Sequence, residues 1–173
     1  MQVEQLGQST LSARARTILE TCYHEAGHQI ACQCFKIAAT PRVWIERDDD
    51  GGELLRGVVT HSPRTSAFRE AQIAWAGPLA ELAIASAGLD VSLAHYWLVT
   101  EPEWRMSLVQ WALGDNYTLS NSDRSEISGH RQRIRAAKRA LRILVVKFRE
   151  VEREANRLMQ EVQPMVVPQK GGL

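Results

Sequence analysis

Residues 21–33 read TCYHEAGHQIACQ, and the five at their centre, His24-Glu25-Ala26-Gly27-His28, decide how the rest of the chain is read. On an α-helix, positions i and i+4 differ by about 40° in azimuth and about 6 Å in rise. Two imidazoles at that spacing can grip one metal ion. The glutamate beside the first histidine then stands near enough to work on a water held by that ion. This is the H-E-x-x-H pattern of zinc peptidases, and it has that meaning only on a helix. The neighbouring residues predict one. Leu11, Ala15, Ile18, Leu19, Ala26, Ile30, Ala31 and Phe35 keep helical spacing, from a cap at Ser9 or Thr10 to about Lys36. Gly27 costs about 1 kcal/mol inside such a helix relative to Ala. Close helix packing would explain it, and so would room beside a metal.

The chain around this stretch has 173 residues, enough for one domain with a real core. The expected division is a single domain over 1–162 and a flexible tail over 163–173. Hydrophobic residues make up 45% and charged residues 24%, so neither disorder nor a fibrous class is indicated. No apolar run approaches the ~18 residues needed to span a bilayer. The opening MQVEQLGQSTLSARARTILE has no apolar signal-peptide core, so the expected location is cytoplasmic, with no membrane segment. Three cysteines, all between 22 and 34, do not form a disulfide framework.

The net charge of +1 hides a division. Residues 1–130 carry 10 basic and 16 acidic side chains, and residues 131–173 carry 11 basic and 4 acidic. Such a split points to a nucleic-acid or membrane contact, or to pairing of the two parts within or between chains. Arg131 to Arg149 holds 8 basic and no acidic residues. Nucleic-acid binding is nevertheless not expected, because no stacking aromatics or binding motif accompany the charge.

Beyond the first helix, Pro41 ends the stretch, and Arg42 to Arg47 reads as a strand with Val43 and Ile45 alternating against polar neighbours. Asp48-Asp49-Asp50-Gly51-Gly52 is a turn signal, and Leu54 to His61 is the return strand of a hairpin. A helix follows from about Ser66 to Ala87, interrupted or kinked at Gly77-Pro78 and apolar nearly all round. Glu81 is the exception there and needs a partner. Gly88 to Thr100 is a loop or short helix. Capping-box spacing at Thr100-Glu101-Pro102-Glu103 opens a helix to Leu113, and Ser120-Asn121-Ser122-Asp123 opens another. A long basic amphipathic helix within 131–162 closes the domain. Its predicted apolar stripe is Ile134, Leu141, Leu144, Val145, Phe148, Val151, Ala155, Leu158 and Met159. The expected fold class is mainly α (α+β), with a small β-hairpin between the H-E-x-x-H helix and the next helix.

A catalytic zinc site needs three protein ligands and an open position. His24 and His28 are two. Cys32 lies about 12 Å along the axis from His24, too far to converge easily on the same ion, and Cys34 faces elsewhere. The cysteines read as buried or inert thiols. His61, His95, His130, Glu81, Asp90, Asp115 and Asp123 remain, and spacing does not choose among them.

The segment TCYHEAGHQIACQ resembles the active-site helix of the FtsH family, ATP-dependent zinc metalloproteases that join an AAA+ ATPase to a helical peptidase domain. The likeness continues in order. Pro41-Arg42-Val43-Trp44-Ile45 resembles the strand that follows. Ala76-Gly77-Pro78-Leu79-Ala80-Glu81 is similar to that family's Gly-Gly-Arg-Ala-Ala-Glu segment. Leu119-Ser120-Asn121-Ser122-Asp123 is similar to its Ala-Ser-Asn-Asp segment, whose aspartate is the third zinc ligand. The resemblance spans roughly residues 15–160, with Pro78-Leu79 replacing Gly-Arg and extra chain between Ala87 and Asn116. It implies a zincin-like peptidase domain, Zn2+ held by His24, His28 and Asp123, and Glu25 as catalytic base. Glu81 is the next candidate for the third ligand, and otherwise a support for a ligand histidine. No G-x-x-x-x-G-K-[ST] occurs, so the implied activity is ATP-independent cleavage of flexible or unfolded polypeptide, with a separate ATPase or homo-oligomer as possible partner. The competing expectation is a non-proteolytic zinc-containing binding or regulatory module on the same fold. The intact Glu25 speaks for the enzyme, since structural zinc has no use for a general base.

Overall fold

The first helix, α1 (Ile18–Cys34), begins at Thr17 rather than at Ser9 or Thr10. Thr17 is extended, its side chain accepts from the Glu20 backbone N–H at 3.2 Å, and the Glu20 carboxylate accepts from the Thr17 N–H at 2.8 Å. This reciprocal capping box lay in the sequence as Thr17-x-x-Glu20, hidden by the apolar spacing that runs on upstream of it. The far end is closed by Lys36, whose φ of 59° turns the chain in the left-handed region. Backbone bonds from Phe35 and Ile37 to Cys32 O tie that turn down.

The computed structural model describes residues 17–47, 52–62, 65–114, 117, 119–128, 132–162 and 164–165. After α1 come β1 (Ala38–Arg47), β2 (Glu53–Ser62), α2 (Ala67–Ser86), α3 (Val91–Thr100), α4 (Pro102–Leu113), α5 (Asn121–Ser128), α6 (Arg133–Glu161) and β3 (Pro164–Met165). The molecule is mainly helical, with one small sheet. β1 and β2 pair antiparallel from Ala38↔Ser62 to Arg47↔Glu53. Pro41 is a partner in that ladder, opposite Val59, so it does not precede the strand as expected. Pro164 and Met165 lie parallel to Ile45 and Glu46, which puts β1 in the middle of the order β2-β1-β3 and leaves β2 at an edge. The tail reading did not anticipate that pairing. The Asp48–Gly51 turn and Ser9 and Thr10 lie outside the described residues.

The core is three helices deep. α1 packs on α2 and α6, and α2 also packs on α6. Trp75, Leu79 and Ile84 of α2, Tyr23 of α1 and Leu144, Phe148 and Leu158 of α6 are fully buried. α2 is buried along most of its length, as its all-round apolar character requires. It runs as one helix through Pro78, so the interruption expected there does not occur. Burial among neighbouring helices supplies contacts that an isolated helix lacks. It stops where Gly88 and Leu89 take φ of 65° and 68°.

Two further expectations change. The helix predicted after Thr100 is α4, but Thr100 is not its cap: its hydroxyl donates back to Tyr96 O at 2.8 Å within α3. Ile134 does not belong to the apolar stripe of α6 and is 52% exposed. The buried stripe is Ala136, Ala137, Ala140, Leu141, Leu144, Phe148, Val151, Ala155 and Leu158, which keeps helical spacing along one face. Among the described residues no single helix is long and apolar enough to cross a membrane.

Candidate metal centre

His24, His28 and Asp123 meet in the interior, all three buried, with one ligand atom from each lying within 4.8 Å of the others. They form a group that can hold a metal ion. The two histidines come from successive turns of α1, and their rings stand nearly perpendicular, 4.7 Å between centroids. Asp123 comes from the first turn of α5. Ser120 fixes it twice: its Oγ accepts from the Asp123 N–H at 3.1 Å and donates to Oδ2 at 2.7 Å. The Ser120–Asp123 capping signal therefore also aims a ligand.

Each imidazole is oriented through the nitrogen that faces away from the group. His28 Nδ1 lies 2.7 Å from Ile73 O. A carbonyl only accepts, so Nδ1 carries the proton and Nε2 of the neutral ring is a lone pair. That lone pair faces Asp123 Oδ1 at 3.3 Å. Two lone pairs at this distance need a cation between them, either a proton or a metal. His24 repeats the pattern. Its Nδ1 donates to Glu81 Oε2 at 2.7 Å, and its Nε2 faces Asp123 Oδ2 at 3.2 Å. Two imidazole Nε2 atoms and one carboxylate make a donor set that can hold a metal ion, with outer hydrogen bonds of the kind that fix ligand histidines. The residues present fit the ion.

The electrostatics agree. Burial works against a charged His24, but the carboxylates of Asp123, Glu81 and Glu25 outweigh it and push the imidazole up to about 10. Burial likewise opposes ionisation of Asp123, yet His28, His24 and the Ser120 hydroxyl hold it down at about 2. The two shifts are reciprocal: carboxylate charge favours a cation on His24, while the two imidazoles and the Ser120 hydroxyl favour the Asp123 anion.

Three glycines set the spacing. A Cβ on Gly27 would sit 2.5 Å from Ala76 O and 3.0 Å from Ala80 Cβ, so Gly27 exists for the close approach of α1 and α2. The room beside the metal ligand comes from Gly77 on the facing helix, where a Cβ would lie 2.6 Å from His28 Cε1. On edge strand β2, a Cβ on Gly57 would lie 2.8 Å from Glu25 Cδ. Glu25 is thus buried between its helix and the edge strand, one residue from a ligand histidine.

The remaining candidates lie elsewhere. Glu81 is a partner of His24, and Tyr117 Oη donates to the same Oε2 at 2.9 Å. His61 faces Glu70 at 3.4 Å, and His95 stacks on Phe148. Asp90 caps α3. The cysteines are free thiols, and burial pushes Cys22 and Cys32 up to about 12. His130 and Asp115 fall outside the described residues. Sequence reasoning missed Tyr117, Gly57 and the Ile73 carbonyl. A backbone acceptor leaves no side-chain signature, and the two side-chain positions depend on tertiary packing. No protein-family model matches the chain, and a search of curated proteins returns no match.

Proposed function

We propose that this chain is a zinc-dependent metalloendopeptidase with a zincin-like, FtsH-like peptidase fold. The observation that carries the reading is the buried His24–His28–Asp123 group with Glu25 wedged beside β2, which is an edge strand among the described residues. Two imidazoles and a carboxylate suit zinc. Bound there, zinc supplies a Lewis acid for a carbonyl and brings the pKa of a water toward 7. The Glu25 carboxylate takes the proton of the attacking water and later delivers it to the leaving amine. Glu81 keeps the Nδ1 proton on His24, so that Nε2 presents its lone pair, and Tyr117 holds Glu81 in turn. The outer edge of β2 offers backbone donors and acceptors on which an extended polypeptide can add as a further strand, passing Gly57 and therefore Glu25. A substrate held that way must be flexible or unfolded.

The test is Glu25→Gln. That protein is expected to keep its zinc and lose cleavage of unfolded casein by at least a hundredfold, as befits loss of a general base. Retention of wild-type cleavage by Glu25→Gln sinks the proposal. A wild-type protein that carries zinc and cuts neither casein nor peptide libraries favours the binding-module reading instead.

A further inference from the structure

The two halves of α6 carry their charge differently. In the C-terminal half, three of the four cations are matched by carboxylates one turn away: Lys147 with Glu150, Arg149 with Glu152, and Arg157 with both Glu154 and Glu161, while exposed Arg153 has no such partner among the described residues. That is the ordinary pattern of a solvated helix face. In the N-terminal half, Arg133, Lys138, Arg139 and Arg142 are exposed and pair with no carboxylate among the described residues. Arg135 joins them, lying over the Phe68 ring and donating to Gln132. The first turn holds no acid, although that end of the helix dipole favours one. Arg135, Lys138, Arg139 and Arg142 share the face opposite the buried stripe, and Arg149, itself paired with Glu152, continues the line to roughly 20 Å of helix. It faces away from α1 and α2, which carry His24, His28 and Glu81.

A phosphate-bearing partner fits a line of self-repelling, mostly arginine cations. What selects among such partners is the apolar content of the same face. Val146 lies within the basic stripe and is 76% exposed, more than any other large hydrophobic residue described. Ile134, at its margin, is 52% exposed. A nucleic acid would call for stacking rings, and no exposed aromatic lies on α6. A second copy of this face is repelled. A lipid surface accommodates both features, since headgroup phosphates take the cations and a shallow apolar side chain settles between headgroups.

We propose that the N-terminal half of α6 is a peripheral docking surface for an anionic lipid bilayer, leaving the metal centre turned away from it. The probe is the full chain sedimented with phosphatidylcholine vesicles, with or without 30% phosphatidylserine. The expected result is binding to the anionic vesicles alone at 0.1 M salt, and release at 0.5 M. Each removed cation should weaken partitioning about fivefold. The exposed set Arg135→Gln, Lys138→Gln, Arg139→Gln and Arg142→Gln therefore loses measurable binding, with helix content unchanged by circular dichroism. Val146→Ser should weaken binding about threefold, and Arg157→Gln, in the paired half, should not change it. Absence of binding to anionic vesicles, or equal binding by the four-Gln protein, overturns the proposal. So does an unaltered Val146→Ser protein, or tighter binding to a labelled 20-nucleotide DNA than to vesicles.

Discussion

Replacing Gly77 with alanine should disarm the metal centre without unfolding the protein. The new Cβ would stand 2.6 Å from His28 Cε1 and 2.8 Å from Cδ2, where ordinary contact is near 3.5 Å. Nε2 would stand closer still, so the imidazole must retreat by about 1 Å. It cannot pivot freely, because Nδ1 is tied to Ile73 O at 2.7 Å. Relief by moving α1 away from α2 would open the close contact that Gly27 makes with the Ala76 carbonyl. Metal–ligand distances tolerate only about 0.2 Å, so His28 is lost as a ligand. Disturbing an outer partner of a ligand costs about 10–100-fold in affinity, and loss of the ligand itself should exceed a hundredfold. Overpacking costs about 1–3 kcal/mol. Removing a helical glycine returns up to about 1 kcal/mol. The remainder is small against a typical domain stability of about 5–15 kcal/mol. Competition for zinc with a chromophoric chelator measures the affinity, and thermal unfolding of the metal-free protein checks the fold. A folded Gly77→Ala protein with wild-type zinc affinity would refute both the close packing at His28 and its role as a ligand.

Four other outcomes follow from the same geometry. Asp123→Ala should abolish zinc retention on dialysis, whereas Glu81→Gln should only weaken it about 10–100-fold; full affinity in Asp123→Ala would mean that the third ligand lies elsewhere. In the metal-free protein, the His24 imidazole is raised from 6.5 to about 10. Its stabilising contribution is then complete below pH ~6.5 and lost as pH rises through ~10, so the apo melting temperature should fall across that window, and a flat profile would contradict the carboxylate cage. Gly57→Ala should leave zinc binding intact while cutting kcat for casein at least tenfold by displacing Glu25; proportionate loss of zinc would place the damage in the fold instead. Of the three thiols, exposed Cys34 should react fast with a thiol reagent, while Cys32, buried and raised to about 12, reacts only on unfolding. Two fast thiols would contradict the packing of α1.

What could be read from residues alone was whatever is periodic or capped. The helical setting of His24 and His28, the hairpin, the long α6 and the Ser120–Asp123 cap all follow from spacings within one element. The convergence of Asp123 on the histidines is different, because nearly a hundred residues separate them and no local rule measures that distance. The expectation came through resemblance, and the geometry bears out the convergence. The misreadings share one cause. Ser9 or Thr10 as cap, Pro41 as a boundary, Pro78 as an interruption and Ile134 as core each applied a local preference where tertiary packing, or a stronger local signal such as Thr17-x-x-Glu20, decided otherwise.

The glycines show why core and site cannot be separated in this fold. Gly27 draws α1 onto the Ala76–Ala80 turn of α2, and that contact brings His28 within reach of Ile73 O and His24 within reach of Glu81. The same approach would crush His28 were Gly77 not opposite it. Packing and ligand orientation are thus one set of distances. A substitution that loosens α1 from α2, such as Gly27→Ala, should therefore lower stability and zinc affinity together. Gly77→Ala, by contrast, should lower affinity far more than stability. Comparing the two proteins by melting temperature and chelator competition separates a site that rides on the core from one merely next to it. If Gly27→Ala destabilised the fold yet bound zinc normally, the histidines would have to be aligned by α1 alone.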